Sequence, residues 1–213
     1  MDDWSLLQQY VQNGSHPAMD QLIRRHLDMV YAAARREVGD EHLAADVTQA
    51  VFLVLMRRAS RIGPGVVLAG WLFKVMRFAA ADARKSQARR GRHEREAATM
   101  KSEISCDTDS QCDPQLIPLL NDAIASLPSI YRDAVVMKYL EGKSHLEVAQ
   151  AQKINENAAR QRLFRAIERL RVKLSRQASA VLIAGTVEAT LAATAAQSAP
   201  PSEVQLRAFA AVA

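Results

Sequence analysis

Between residues 153 and 176 the chain carries eight Lys and Arg residues against two acids. At helical spacing, Leu163, Ile167, Leu170 and Leu174 fall on one stripe, the i, i+4, i+7, i+11 pattern of a buried helix face. Gln161 and Arg165 then point directly away from that stripe, and Arg160, Arg162 and Arg169 flank it. Guanidinium and amide groups can bond base edges bidentately or grip phosphates, so this outer face suits duplex DNA. An arginine-rich face alone is also what an ordinary solvated helix presents. The preceding residues favour the DNA reading. A short helix at 144–150 and a tight break at Lys153-Ile154-Asn155 give the spacing of a helix-turn-helix, whose second helix enters the major groove.

A second surface lies at 46–55. Its apolar arc centres on Val51 and Leu55 and takes in Val47, Phe52 and Val54. On the opposite side Asp46, Gln49, Leu53 and Arg57 line up at i, i+3, i+7 and i+11. A leucine facing outward among polar residues marks a protein-contact stripe as readily as ordinary surface. Other reactive side chains form no constellation. Cys106 and Cys112 stand in an acidic stretch with no histidine nearby and read as incidental. The five histidines are scattered, without HExxH-like spacing, and no glycine-rich phosphate loop or nucleophile elbow occurs. No catalytic residue, metal site or cofactor is expected.

The elements that must carry these faces are helices throughout. Apolar residues recur at helical spacing over 3–13, 19–37, 41–60, 67–90, 115–126, 128–139, 144–150, 156–175 and 178–196, and no alternating strand pattern survives. Gly14-Ser15-His16-Pro17, Gly39-Asp40 and Gly63-Pro64-Gly65 punctuate them. Pro128 fits a first-turn proline, and Ser144 with Glu147 three residues on matches a capping box. The class is all-α. An apolar share of 49% over 213 residues is enough for a real core, while eight glycines, seven prolines and 5% aromatics argue against a sandwich or barrel. Two cysteines point to a reducing, cytosolic compartment, and Met1-Asp2-Asp3-Trp4 is not the start of a signal peptide.

Charge divides the chain. Residues 84–101 hold seven bases to two acids, whereas 102–122 hold five acids and no base. After residue 176 the chain is alanine-rich and nearly uncharged. The layout is an N-terminal helical bundle over 1–95, an acidic linker over 96–113, a helix-turn-helix domain over 114–176, and an Ala-rich helix or tail over 177–213. The linker reads as a flexible, solvated tether in preference to a DNA mimic lying on a basic block. The tail, with Glu188 near its middle, is a poor membrane span.

The segment 46–55, followed by Gly70-Trp71-Leu72-Phe73-Lys74-Val75-Met76-Arg77-Phe78 and on to Arg84, resembles the second conserved region of bacterial sigma factors of the extracytoplasmic-function (ECF) type. The later run Leu127-Pro128, Tyr131-Arg132, Tyr139-Leu140-Glu141-Gly142-Lys143-Ser144, Val148-Ala149 and Ala159 to Ala166 is similar to that family's fourth region. Order and spacing match, over roughly 5–175. The resemblance implies two small helical domains and a promoter-specificity subunit that performs no catalysis. Core RNA polymerase (β′ and β subunits) and promoter DNA would be its partners, with an anti-sigma factor or the tail restraining it in the cytoplasm.

The resemblance also assigns roles. Asp46, Gln49 and Leu53 would meet core polymerase. Lys74, Arg77, Arg84 and Lys85 would hold the backbone of the melted −10 strand, with Phe78 as a stacking surface and Trp71 in the core. Ser144, Arg160, Gln161, Arg162, Phe164 and Arg165 would serve the −35 element, Phe164 either there or in packing. Three positions depart from the usual pattern: Ala50 replaces an acid after the glutamine, Phe78 replaces a common asparagine, and Lys153 stands near the usual glycine of the recognition turn. Two rivals remain at this stage. One is a stand-alone helix-turn-helix regulator that binds duplex DNA without polymerase, and the other is an adaptor using basic helices for acidic protein partners.

Overall fold

The computed structural model describes residues 2–97 and 116–175, with side chains over 2–89 and 119–175. The expectations for most of the linker and for the tail lie outside the described residues. Those that are described form helices and short connections, with no strand among them. Helix α1 (Asp3–Asn13) is capped by the Asp2 carboxylate, which accepts from the Ser5 N–H at 2.9 Å, and it stops at Gly14 in the left-handed conformation. Helix α2 (His16–Val38) admits Pro17 in its first turn and ends at Gly39. Helix α3 (Glu41–Arg58) is capped by Asp40, which accepts from Leu43, and runs into a single 3-10 turn, Ala59–Arg61. Helix α4 spans Leu68–Ala97, longer than its apolar pattern predicts.

The second half comprises α5 (Leu116–Ala125), α6 (Ser129–Val135), α7 (His145–Ala151) and α8 (Glu156–Ser175). Pro128 sits at the N-cap of α6 with ψ 145°, one position earlier than expected, where its missing N–H is equally harmless. Helix α6 does not continue as an α-helix to Tyr139. It widens into a π-helical turn over Val136–Leu140, and the extra residue rotates the downstream chain by about a quarter turn relative to an unbroken α-helix. Ala134, Val135, Val136 and Met137 are buried in succession, which requires neighbours on every side.

Those neighbours come from both halves. Leu22, Val30, Val51, Phe52, Leu55, Leu72, Phe73 and Met76 fill the first unit, while Leu163, Ala166, Ile167 and Leu170 fill the second. Buried residues of the two units form one continuous apolar cluster, with α2 and α4 packed on α5, α6 and the π turn. A full core side chain contributes about 1.5–3 kcal/mol, so the two units are physically joined here. The sequence pattern, which shows two blocks and a tether, does not announce that contact.

Candidate nucleic-acid interface

The helix-turn-helix is built from its caps outward. Ser144 Oγ accepts from the Glu147 N–H at 3.2 Å, and the Glu147 carboxylate accepts from the Ser144 N–H at 2.8 Å. That is the predicted capping box. These Ser144 bonds hold the exposed Glu147 carboxyl below its ordinary range. The same capping commits the Ser144 hydroxyl locally. Between α7 and α8 the chain turns through Lys153 at φ 54°, the left-handed conformation that favours glycine. Asn155 then caps α8, accepting from the Ala158 N–H at 2.7 Å.

On α8 the stripe Leu163, Ile167, Leu170 and Leu174 is buried as expected, joined by Ala159 and Ala166. Gln161 and Arg165 are exposed on the far side. Phe164 is 67% exposed, so it takes no part in packing. Arg160 pairs with Glu156 one turn back at 2.6 Å. Arg162 is half-buried, its Nη1 donating to Gln152 Oε1 at 3.0 Å, while Gln152 donates to the Ile130 carbonyl at 3.0 Å. Its guanidinium therefore braces the turn. Arg169 lies over the Tyr131 ring at 4.8 Å. Burial, followed by the charges of Lys138 and Arg160, lowers the His145 pKa against the opposing charge of Glu156.

On α4 the predicted cations divide between two faces. Lys74, Phe78 and Lys85 share an open face, with Phe78 64% exposed. Arg77 and Arg84 lie around the helix from them and grip one carboxylate: Arg77 Nη1 and Arg84 Nη2 each stand 2.7 Å from Glu37. Trp71 is half-buried against the core, as expected. On α3, Asp46 and Arg57 are exposed and Gln49 and Leu53 half-buried, opposite the buried Val47, Thr48, Val51, Phe52 and Leu55; Val54 is only half-buried. Buried Thr48 returns its hydroxyl hydrogen to the Ala44 carbonyl at 2.7 Å.

Comparison with known proteins finds two family regions in order along the chain. Sigma-70 region 2 matches residues 22–90, and Sigma-70, region 4 matches residues 118–170. The RNA polymerase sigma factor CarQ of Myxococcus xanthus is 33% identical over 159 residues, covering 75% of this chain and 90% of that protein. This chain belongs to the ECF sigma factors. The ECF RNA polymerase sigma factor SigE of Mycolicibacterium smegmatis is 32% identical over 168 residues, covering 76% of the chain and 64% of that protein. Among solved structures, that of CnrH in complex with the cytosolic domain of CnrY covers 83% of the chain and 99% of that chain at 22% identity and a TM-score of 0.40. As a sigma factor the protein is a promoter-specificity subunit that works with core RNA polymerase and promoter DNA. The match to region 2 is one that a stand-alone helix-turn-helix regulator has no use for.

The described residues of the sigma factor contain no cluster of three or more metal-ligating side chains, and no helix among them is long and apolar enough to cross a membrane. Residue spacing did not single out His26, Glu37, Asn121 or Glu141, which the fold brings to the seam between the two regions. Glu37 carried one legible signal, an acid in the last turn of a helix against the macrodipole. The others depend on how two remote helices meet.

Proposed function

We propose that promoter recognition is divided among three faces of the molecule. Asp46, Gln49 and Leu53 on α3 dock on core polymerase. Gln161, Phe164 and Arg165 on α8 read the −35 major groove, with Arg160 on phosphate and with Ser144 and Arg162 setting the pitch of the motif. Lys74 and Lys85 hold the melted −10 strand beside Phe78, and Arg77 and Arg84 join them when their carboxylate partners yield. The protein itself catalyses nothing: it positions DNA for the polymerase, works in the cytoplasm, and is restrained by an anti-sigma protein or by the tail.

The observation that carries this reading is the face of α8. A buried leucine-isoleucine stripe fixes the helix, and an amide, an aromatic ring and a guanidinium stand unburied on the other side. Run-off transcription with core polymerase on fragmented genomic DNA tests it, with discrete start sites expected. Asp46→Arg with Gln49→Ala should abolish association with core while the circular dichroism spectrum is kept; unchanged association removes that docking assignment. Arg165→Ala should cost about 1–3 kcal/mol at one base position. An equal loss on all sequences would make Arg165 a phosphate contact instead.

A further inference from the structure

His145 opens the first helix of the helix-turn-helix and stands among more cations than anions. The turn before α7 builds its surroundings. Gly142 takes φ 69°, and the Lys143 N–H comes back to the Met137 carbonyl at 3.0 Å. Lys143 is thereby folded beside Lys138 of the π turn, and the charges of both reach Glu147. Ser144 is the N-cap, so His145 is the first residue of α7. Buried Val148 and Ala149 follow three and four positions on, which sets the ring at the edge of the inner face of that helix. There it is half-buried and shares a neighbourhood with Lys138, Arg160 and Glu156.

The two acids of this group are already engaged. Glu147 accepts from the Ser144 N–H and hydroxyl, both at 2.8 Å, and Glu156 holds Arg160 at 2.6 Å. Among the described residues, no carboxylate forms a salt bridge with Lys138, Lys143 or His145. A helix-turn-helix lays its first helix across the DNA backbone while the second enters the groove. The start of α7, beside Arg160 of α8, is therefore where a backbone phosphate of the −35 duplex arrives. Burial, then Lys138 and Arg160, hold the free imidazole below its ordinary pKa against Glu156, so the ring is neutral near pH 7. A phosphate brings the negative charge that reverses this balance. We propose that His145 is a proton-linked contact of the −35 duplex: its ring takes a proton from solvent as the phosphate docks, donates to that phosphate, and makes promoter affinity fall as pH rises. The complex carries the extra proton, so the gain is full below the pKa of the free ring and gone above that of the bound one. The proposal rests on the assignment of α8 to the −35 groove.

Fluorescence anisotropy tests it with holoenzyme assembled from the full chain and core polymerase, at constant salt. The probe is a labelled duplex from upstream of a start site mapped by run-off transcription, cut short of the −10 element. Wild type should bind about fivefold more tightly at pH 6 than at pH 8, as a single proton coupled over about one pH unit allows. His145→Gln cannot take the proton, so its affinity should change by less than about twofold over the same range. His145→Lys carries a permanent charge and should bind tightly at both values. Calorimetry at pH 6.5 in two buffers of different ionisation enthalpy counts the proton directly, with about half a proton taken up by wild type and none by His145→Gln. A wild-type pH profile parallel to that of His145→Gln, or binding without proton uptake, overturns the proton link and leaves α8 in its groove. Absent start sites, or no binding of the duplex at either pH, would sink the −35 assignment and the proton link with it.

Discussion

His26 should make the stability of this protein fall with rising pH between about 6.5 and 9. Its ring is 2% exposed and lies between the carboxylates of Glu141 at 2.5 Å and Asp3 at 2.9 Å. Burial opposes the charged imidazolium, but the hydrogen bonds and charges of Asp3 and Glu141 prevail and raise its pKa to about 9. Asp3 shows the reciprocal effect: burial opposes its charge, yet His26 and Arg25 hold its carboxyl below the ordinary range. Against an unfolded value near 6.5, the gap amounts to about 3 kcal/mol at about 1.4 kcal/mol per unit. Because the folded value is the higher one, this stabilisation is fully present below pH 6.5 and is lost as pH rises through about 9.

Thermal denaturation from pH 6 to 9.5 reads the effect directly. At about 2–4 °C per kcal/mol for a protein of this size, the wild-type melting temperature should drop about 6–12 °C more across that window than that of His26→Gln. Glu141→Gln removes only the bond that crosses between the regions and leaves Asp3 in place. Its profile should fall between the other two. Parallel profiles for wild type and His26→Gln between pH 6.5 and 9 would refute the reasoning, since no other described group has a raised pKa in that window with two acids facing it.

Lys153→Gly should raise the melting temperature by about 2 °C, because the side chain is held at φ 54°, where an L-residue costs about 1 kcal/mol; an unchanged or lower value would show that packing has absorbed the strain. Phe164→Ala should alter folding stability by no more than about 0.5 kcal/mol, since the ring is 67% exposed. It should weaken duplex binding at one position, and a thymine-to-uracil change there should reproduce the loss if the ring meets a thymine methyl group. A stability loss in place of a binding loss would return Phe164 to a packing role.

Helix positions were legible because periodicity and caps agreed. Glu156–Ser175 and Asp3–Asn13 have the ends their patterns predict, and Ser144 with Glu147 forms the capping box its spacing implies. The outward character of Gln161 and Arg165 followed from the leucine stripe by geometry alone. The end of α6 did not, because a π turn is set by tertiary neighbours and leaves no local composition. The partners of Arg77 and Arg84 were equally hidden. Charge counting treats every arginine near a basic run as available, yet Glu37 lies 40 residues before Arg77 and meets it only once α2 and α4 are packed.

That pairing changes what the basic run on α4 can mean. Arg84 is bound to Glu37 inside region 2, and that carboxylate also accepts from Asn121 of the other half. Arg77 is bound both to Glu37 and to Asp122 of the other half. Lys74, Phe78 and Lys85 face outward whatever the seam does. On the proposed assignment of α4, an arriving strand would meet this open electrostatic track first. For Arg77 it would compete with two carboxylates already in place, Glu37 of the same region and Asp122 of the other half.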